Sequence, residues 1–591
     1  MKSKILALAA TAVLGTLAAA TLQVSAAQMA APPAGAQGAG LGIVGATGGL
    51  CPGDNGGISL PPGFCATVFA DDLGHVRHIA VAPDGVVYAN IWSGRYYPGG
   101  KGPADGFLIA LKDSRGTGVA DKVVRFGETA AEGAAGGTGI AVWHGHLYAE
   151  VNDRIVRYAL TPGSLAPKGQ PQTVLSGMPL GGDHPMHPFV ISPGGDLFVD
   201  MGSATNSCQP KNRYAGVPGA VPCVELETRG GLWRYDANAL GQTFSPKERY
   251  ATGIRNGEGL AFDAAGRLYA TQHGRDQLLQ NWPALYPDAA RATELPAEEL
   301  VQVRAGGDYG WPTCYFDSFQ DKLVLAPEYG GDGGKAVGVC ADKLPPVAAY
   351  PAHWAPNALA IHTGKAFPDG FKGGAFIAFH GSWNRAPAPQ DGYNVVFQPL
   401  ADGKAAGPYV IFADDFTGGA KDPGHAAHRP MGLAVAPDGA LFISDDVKGR
   451  IWRVTYKGPP ATGRVAGVKP AAAPAAAAPT LAAAAVSVVL PVPPGGTAEQ
   501  VAHGQRLYQT RTCTACHGTD GLGTPLGPNL AAAVPLWGDG SPESIRAVIT
   551  QGVANPKQYR APMPAMGGAE LTPVEVNDLS TWIWALRHRP H

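Results

Sequence analysis

The chain has 591 residues, with 45 Lys and Arg against 47 Asp and Glu and no block of basic residues. That length predicts a large domain with a smaller companion, and the balanced charge argues against nucleic acid or an anionic membrane as the main partner. Glycine is abundant (82 residues) and only 16% of the chain is charged, which suits short strands and tight turns better than long helices.

At the start, Lys2 and Lys4 precede an apolar run from Ile5 to Leu22, and Val24-Ser25-Ala26 has the small-residue form of a cleavage site. Residues 1–26 therefore read as a signal peptide, with a membrane anchor as the competing reading. No later stretch of 18 strongly apolar residues follows, so the expected mature protein is exported to the periplasm, soluble, and free of a transmembrane segment. Residues 27–60 read as an N-terminal extension.

From 61 to 457 one phrase recurs. It appears as Ala82-Pro83-Asp84-Gly85-Val86-Val87-Tyr88, Trp143-His144-Gly145-His146-Leu147-Tyr148, Ser192-Pro193-Gly194-Gly195-Asp196-Leu197-Phe198, Asp263-Ala264-Ala265-Gly266-Arg267-Leu268-Tyr269 and Ala436-Pro437-Asp438-Gly439-Ala440-Leu441-Phe442. A weaker copy spans Phe371 to Ile377. Each copy joins two apolar strands through a glycine-containing hairpin turn, and a third strand often follows, as in "DRIVRYAL" and "GRIWRVTY". Six unevenly spaced strand–turn–strand units predict an all-β six-bladed β-propeller, with a β-sandwich as the alternative. In a propeller the chemistry sits on loops at one end of the central channel, so the long insertions are the places to search.

Eight cysteines fit an oxidising compartment. Six fall in sequence-near pairs: Cys51 and Cys65, Cys208 and Cys223, Cys314 and Cys340. Six thiols allow fifteen connectivities, and near-neighbour pairing is the simplest.

Residues 458–497, with "KPAAAPAAAAPTLAAAA", lack the patterning of a core and read as a linker. The last unit, 498–591, is expected to be a small all-α cytochrome c domain. A helix over Ala498–Gln509 runs into Cys513-Thr514-Ala515-Cys516-His517, and a closing helix over Thr572–Leu586 sets Leu579, Trp582, Ile583 and Leu586 on one side. C-x-x-C-H is the attachment pattern of haem c, with Cys513 and Cys516 as the thioether residues and His517 as the proximal iron ligand. "APMPAMGGAEL" offers Met563 and Met566 for the sixth position. It resembles the Met-Pro segment before the last helix of class I cytochromes c, which implies Met563.

Polar clusters flank the propeller repeats: Asp183, His184 and His187 in "GGDHPMHP", Arg255 and Asn256 in "TGIRNGEGLAFD", His273, Gly274, Arg275 and Asp276 in "ATQHGRDQ", and His428 and Arg429 in "AAHRPMGLAVAPDG". His187 and His362 read as structural histidines, and short acidic loops such as Asp445-Asp446 as solvated turns. With "GGDYGWPTCY" and "HGSWNR" added, Pro61 to Tyr456 resembles the PQQ-dependent sugar dehydrogenases of the soluble glucose dehydrogenase fold, closest to the L-sorbosone dehydrogenase branch.

That resemblance implies an exported quinohaemoprotein, a PQQ-dependent oxidoreductase acting on a sugar aldehyde or aldose. Its electrons would pass to haem c and on to a soluble cytochrome or respiratory-chain acceptor. His184, nine residues before Pro193, takes the place of the catalytic base, and Arg255 that of the arginine stabilising charge on the quinone oxygen. Asp183, Asn256, His273 and Arg429 fall to PQQ, and Arg385 substitutes for the family's cofactor lysine. Gly274 and Arg275 fall where two backbone carbonyls hold calcium. His273 replaces a glutamine, Met431 replaces a cofactor arginine, and "GGTGIAV" lacks a substrate glutamine, which argues against glucose. Two other classes compete: a calcium-dependent propeller lactonase or hydrolase with a fused cytochrome, and a non-enzymatic docking propeller.

Overall fold

The computed structural model describes residues 51–459 and 490–589, apart from 52, 94–101, 387, 420, 511–512, 519–520, 524–526, 555, 559–562, 564 and 569–570. The expected signal peptide and most of the expected linker lie outside the described residues.

Six blades form the propeller, numbered here in chain order; each has four antiparallel strands, and blade 2 adds a short fifth, Gln242–Thr243, in parallel at its outer edge. The recurrent phrase is the hairpin between the innermost and second strands. Those strands are Val76–Val81 and Val87–Ile91, Ile140–Trp143 and His146–Val151, Phe189–Ile191 and Asp196–Met201, Leu260–Phe262 and Leu268–Gln272, Pro356–Ile361 and Ala375–Phe379, and Pro430–Val435 and Leu441–Asp445. Gly85 and Gly439, with φ of 82° and 83°, make the left-handed turns that a side chain disfavours. In blade 5 a longer connection separates the two strands, which is why its copy of the phrase is weak.

The ring is closed by a strand the repeats do not announce. Phe64–Ala70 pairs with Ile451–Tyr456 as the outermost strand of blade 6. The pairing is packed by Phe64, which meets Phe367, Phe371 and Phe412 edge-on at centroid distances of 4.8–5.1 Å. The three near-neighbour disulfides form: Cys51–Cys65, Cys208–Cys223 and Cys314–Cys340.

Inner strands begin, and second strands end, at the same end of the channel. The insertion 202–230 and the segment 273–297 both follow second strands and so cover that end. The insertion 304–347 climbs the flank of blade 3 to reach it. Its backbone pairs Gly306 N–H with Tyr250 O, Tyr309 N–H with Thr252 O and Trp311 N–H with Gly253 O.

The C-terminal unit is helical, with helices Ala498–Thr510, Cys513–His517, Pro542–Gln551 and Pro573–Arg587. Thr572 caps the last helix reciprocally with Glu575. Leu579, Trp582, Ile583 and Leu586 pack against Val501, Leu507 and Tyr508 of the first. Among the described residues, no helix is long and apolar enough to cross a membrane.

Candidate functional site

At the covered end of the channel two arginines bracket one carboxylate. Arg255 and Arg213 each donate through Nη2 to Asp276 Oδ2 at 2.9 Å. Asn384 Nδ2 donates to Asp276 Oδ1 at 2.5 Å. The two guanidinium groups outweigh burial and hold the Asp276 carboxyl far below the usual carboxylate range. Arg255 also donates Nε–H to Asn206 O, Nη2–H to Asn206 Oδ1 and Nη1–H to Gly274 O, at 2.9–3.1 Å. Asp183 accepts from Arg213 Nε (3.0 Å) and Asn212 Nδ2 (3.1 Å), so it orients Arg213.

His184 lies beside this cluster. Its Nδ1–H donates to Ser203 O at 3.0 Å and leans on Ser203 Oγ at 2.9 Å. Ser203 Oγ gives its own proton to Thr205 O, so it can accept from the imidazole. This fixes the tautomer and leaves Nε2 unprotonated, with no hydrogen-bond partner among the described residues. Burial first, and the Arg255 charge second, push His184 well below its ordinary value, so the ring is neutral near pH 7. His273 donates Nε2–H to Pro356 O at 3.2 Å and is pushed down to about 3 by burial and Arg255.

Arg429 is the guanidinium left partly open. Nε and Nη2 donate to the carbonyls of His380 and Gly381 at 3.0 Å, and Nη1 has no acceptor among the described residues. Its carbon stands 5.5 Å from the Tyr393 ring centre. Trp383, half-exposed, lies under Arg213 at 5.8 Å. The Asn256 amide oxygen is buried without a partner. An unprotonated imidazole nitrogen, an open guanidinium edge and a half-exposed indole suit a flat anionic ligand.

Several expectations fail here. Arg385 does not join the cluster: it donates to Pro389 O (3.1 Å) and Ala352 O (2.9 Å) and forms an ion pair with Glu294, so its donors are committed to locking loops. The Gly274 carbonyl does not fit the expected calcium role in this arrangement. The Gly274 carbonyl already accepts Arg255 Nη1–H at 2.9 Å, which sets a guanidinium where a cation would approach. The Arg275 side chain forms a bidentate pair with Glu328 at 2.6 and 2.7 Å, which engages its guanidinium and not the backbone carbonyl expected to meet calcium. Asp445 and Asp446 are not solvated turns but buried hubs. Asp446 accepts from Arg77 Nη1 (2.9 Å) and pairs with His380 Nε2 (2.7 Å), and Asp445 pairs with His428 Nδ1 (3.0 Å). Met431 is buried and takes the Asn357 amide on its sulfur at 3.0 Å. His187 is tied to Glu150 and Pro179 O, and His362 stacks on Phe367, both in structural roles.

Ser203, Asn206, Arg213 and Trp383 were not singled out by the sequence. Three of them lie in the 202–230 insertion, and their only signal was the nearby Cys208–Cys223 pair.

A second site opens in the helical unit. A cavity of about 170 Å³ is lined by Cys513, Cys516, His517, Trp537, Met563 and Met566, among others. His517 Nδ1–H donates to Pro528 O at 2.9 Å, which leaves Nε2 free of its proton for a metal. Burial pushes His517 below its ordinary value, favouring the same neutral form. Cys513 and Cys516 are not disulfide-bonded. Met563 is held by two backbone hydrogen bonds to Val553, at 2.7 and 3.0 Å, whereas Met566 takes a left-handed φ of 57° and packs against the helical core. One imidazole, two thiols and two thioethers around an apolar cavity fit haem c.

Comparison with known proteins agrees on both units. Residues 111–457 match the family described as TrAA12-like. Residues 499–583 match "Cytochrome C oxidase, cbb3-type, subunit III". An uncharacterized protein of Borreliella burgdorferi is 25% identical over 275 residues, covering 45% of this chain and 59% of that one. A pyrroloquinoline quinone-dependent pyranose dehydrogenase of Coprinopsis cinerea is 27% identical over 228 residues, 34% of this chain and 30% of that one. The chain thus spans under two thirds of either relative. The Trichoderma reesei carbohydrate-active enzyme of family AA12, in its iodide structure, is 18% identical with a TM-score of 0.53, covering 68% of this chain and 98% of that one. Its calcium structure gives the same TM-score and identity. This likeness is one of fold.

Proposed function

The chain belongs to the TrAA12-like family, and from that premise we propose that it is an exported, PQQ-dependent quinohaemoprotein dehydrogenase. Its substrate is a sugar aldehyde or aldose, L-sorbosone-like, and its electrons leave through haem c to a soluble cytochrome or respiratory-chain acceptor. The resemblance of Pro61–Tyr456 to sugar dehydrogenases and the named Coprinopsis relative support the cofactor and substrate class. The paired cysteines support an oxidising compartment such as the periplasm. The domain limits we propose are 61–457 for the dehydrogenase, 458–497 for the linker and 498–591 for the cytochrome.

The observation that carries the reading is His184. A neutral imidazole, pinned through Nδ1 by Ser203 and open at Nε2, can take the hydroxyl proton from the anomeric or hydrated-aldehyde carbon. PQQ, when bound, supplies a quinone that accepts the hydride from that carbon. Arg255, held by Asn206, Asp276 and Gly274 O, gives a fixed positive charge against the negative charge that develops. Arg429 offers its open Nη1 edge to a carboxylate of the cofactor, Asn256 and His273 line the same place, and Trp383 offers a face for stacking. Asp183 acts by orienting Arg213. We derive no step through calcium, because the Gly274 carbonyl is engaged by Arg255. In the helical unit Cys513 and Cys516 would carry the haem, and His517 and Met563 would hold its iron.

The test is to add PQQ and Ca²⁺ to the purified haem-bearing chain and follow the haem α-band on adding sugars. Reduction by an aldose or sugar aldehyde, dependent on PQQ, is the expected result. Hydrolysis of a lactone without PQQ, with no sugar reducing the haem, overturns it.

A further inference from the structure

Segment 202–206 grips both His184 and Arg255. Ser203 takes His184 Nδ1–H on its carbonyl and faces the ring with its hydroxyl, at 3.0 and 2.9 Å. The two backbones are laced as well: Asp183 N–H donates to Ala204 O at 2.8 Å and His184 N–H to Ser203 O at 3.1 Å. On the other side Ser203 N–H donates to Arg255 O at 2.7 Å, and Asn206 accepts from the Arg255 guanidinium through its carbonyl (3.1 Å) and its amide oxygen (3.0 Å). Gly202 lies so close that a Cβ there would fall 2.6 Å from His184 Cβ and 2.9 Å from Asn256 Oδ1. A displacement of this segment is therefore passed to the base and the arginine together.

The segment is irregular, and its anchors come from one helical turn, Val224–Glu227, and the residues just after it. Half-buried Glu225 accepts Ala204 N–H and Thr205 N–H (3.0 Å) on Oε1 and the Thr205 hydroxyl on Oε2 (2.7 Å). Arg229, 6% exposed, donates Nη1–H to Gly202 O at 3.2 Å and Nη2–H to Leu180 O at 2.7 Å. Arg229 N–H donates to Glu225 O at 3.0 Å, so the two charges are fixed to each other through the backbone. The Cys208–Cys223 bridge closes the insertion beside them: Cys208 N–H donates to Thr205 Oγ1 at 2.8 Å, and Cys223 stands two residues before Glu225. Hydrogen bonds to an ionised partner are about twice as strong as neutral ones, so two charged side chains on one loop make a stiff hold. We propose that Glu225 and Arg229 are positioning residues for the dehydrogenase: they clamp segment 202–206 from both sides of Ser203 and so set the His184 ring and the Arg255 guanidinium. The purpose of the clamp rests on the dehydrogenase reading, to which it adds two residues that act only through others.

The test begins on the full haem-bearing chain without PQQ. Diethyl pyrocarbonate modifies unprotonated imidazoles, and peptide mass spectrometry reads His184 by itself. In the wild type the pH midpoint of that modification should lie well below 6.5, because burial and then Arg255 push the ring down. Asp183, His273 and Arg213, which also face the ring, are kept in every variant. Glu225→Ala should loosen the ring, admit water and move the midpoint up toward 6.5. Thr205→Val, which removes the hydroxyl but not the backbone bonds, should move it less in the same direction. With PQQ loaded, dye-linked turnover of Glu225→Ala should fall by up to about 100-fold with a much smaller change in sugar KM. Glu225→Gln keeps an oxygen for both backbone N–H groups and should restore turnover. A clamp that only stabilises the fold lowers the unfolding temperature and leaves the midpoint in place. If the midpoint stays at its wild-type position in both Glu225→Ala and Thr205→Val, the proposal falls, whatever the unfolding temperature does. A wild type that turns over no sugar sinks the dehydrogenase reading instead, and the His184 midpoint still decides the clamp.

Discussion

Replacing His184 by Gln tests the chemistry most directly. Gln keeps a polar group in place but cannot accept a proton, so the expected loss in turnover is that of a general base, about 10²–10⁴-fold, or roughly 3–5 kcal/mol in the barrier. The structure adds a pH signature. The folded His184 lies well below 6.5, so the unprotonated base persists through neutrality and the acid limb of wild-type turnover must fall well under pH 6.5. The same shift enters stability. Below pH 6.5 the unfolded histidine takes a proton that the folded one refuses, so its contribution is full above that pH and is lost as pH falls. Between pH 6.5 and 5 the wild type should therefore lose more stability than His184→Gln does. The assays are dye-linked turnover of the PQQ-loaded chain across pH and urea unfolding at both pH values, with PQQ affinity as a control. An acid limb centred at or above pH 6.5, or turnover within threefold of wild type in the variant, refutes the reasoning.

Met563→Leu should abolish the methionine-to-iron charge-transfer band and lower the haem potential, while Met566→Leu preserves the band; the visible spectrum and redox titration read both. Opening Cys314–Cys340, a separation of 26 residues, by paired Ser substitutions should lower unfolding free energy by about 3.5 kcal/mol in denaturant titration. Gly136→Ala should destabilise the propeller by at least roughly 3 kcal/mol. Gly136 has φ of 72°, and a Cβ there would fall 1.7 Å from Ile91 O. Soluble yield and thermal unfolding measure that effect.

The blades were legible because each hairpin repeats a local pattern of apolar residues around a glycine turn. Cys513-x-x-Cys516-His517 was legible because its chemistry is contiguous. The closing strand Phe64–Ala70 was not, since its partner lies almost four hundred residues away and its sequence carries no repeat. The candidate site was half visible. His184, Arg255 and Arg429 sit next to repeats, but Ser203, Asn206 and Arg213 come from an irregular insertion whose path no periodicity describes. Arg385 and Asp445-Asp446 misled for a related reason: residue type alone does not tell whether a charge meets solvent, ligand or a buried partner. Glu294 and Ala352 claim the first, and Arg77, His380 and His428 the others.

The clasp between Phe64–Ala70 and Ile451–Tyr456 sets a timetable for synthesis. The first strand made waits for the last strand of the ring, and at ribosomal rates of about 5–20 residues per second that interval is roughly 20–80 s. During it, Phe64–Ala70 is an unpaired edge, open to a strand from another chain. Lys457 N–H and Gly458 N–H then dock on Gly63 O, so the last turn of the clasp is tied before any of the helical unit exists. A nascent chain halted before Trp452 therefore carries an open ring, whereas one halted within the linker carries a finished one. The Cys513-x-x-Cys516-His517 segment thus emerges only after every strand of the ring has been made.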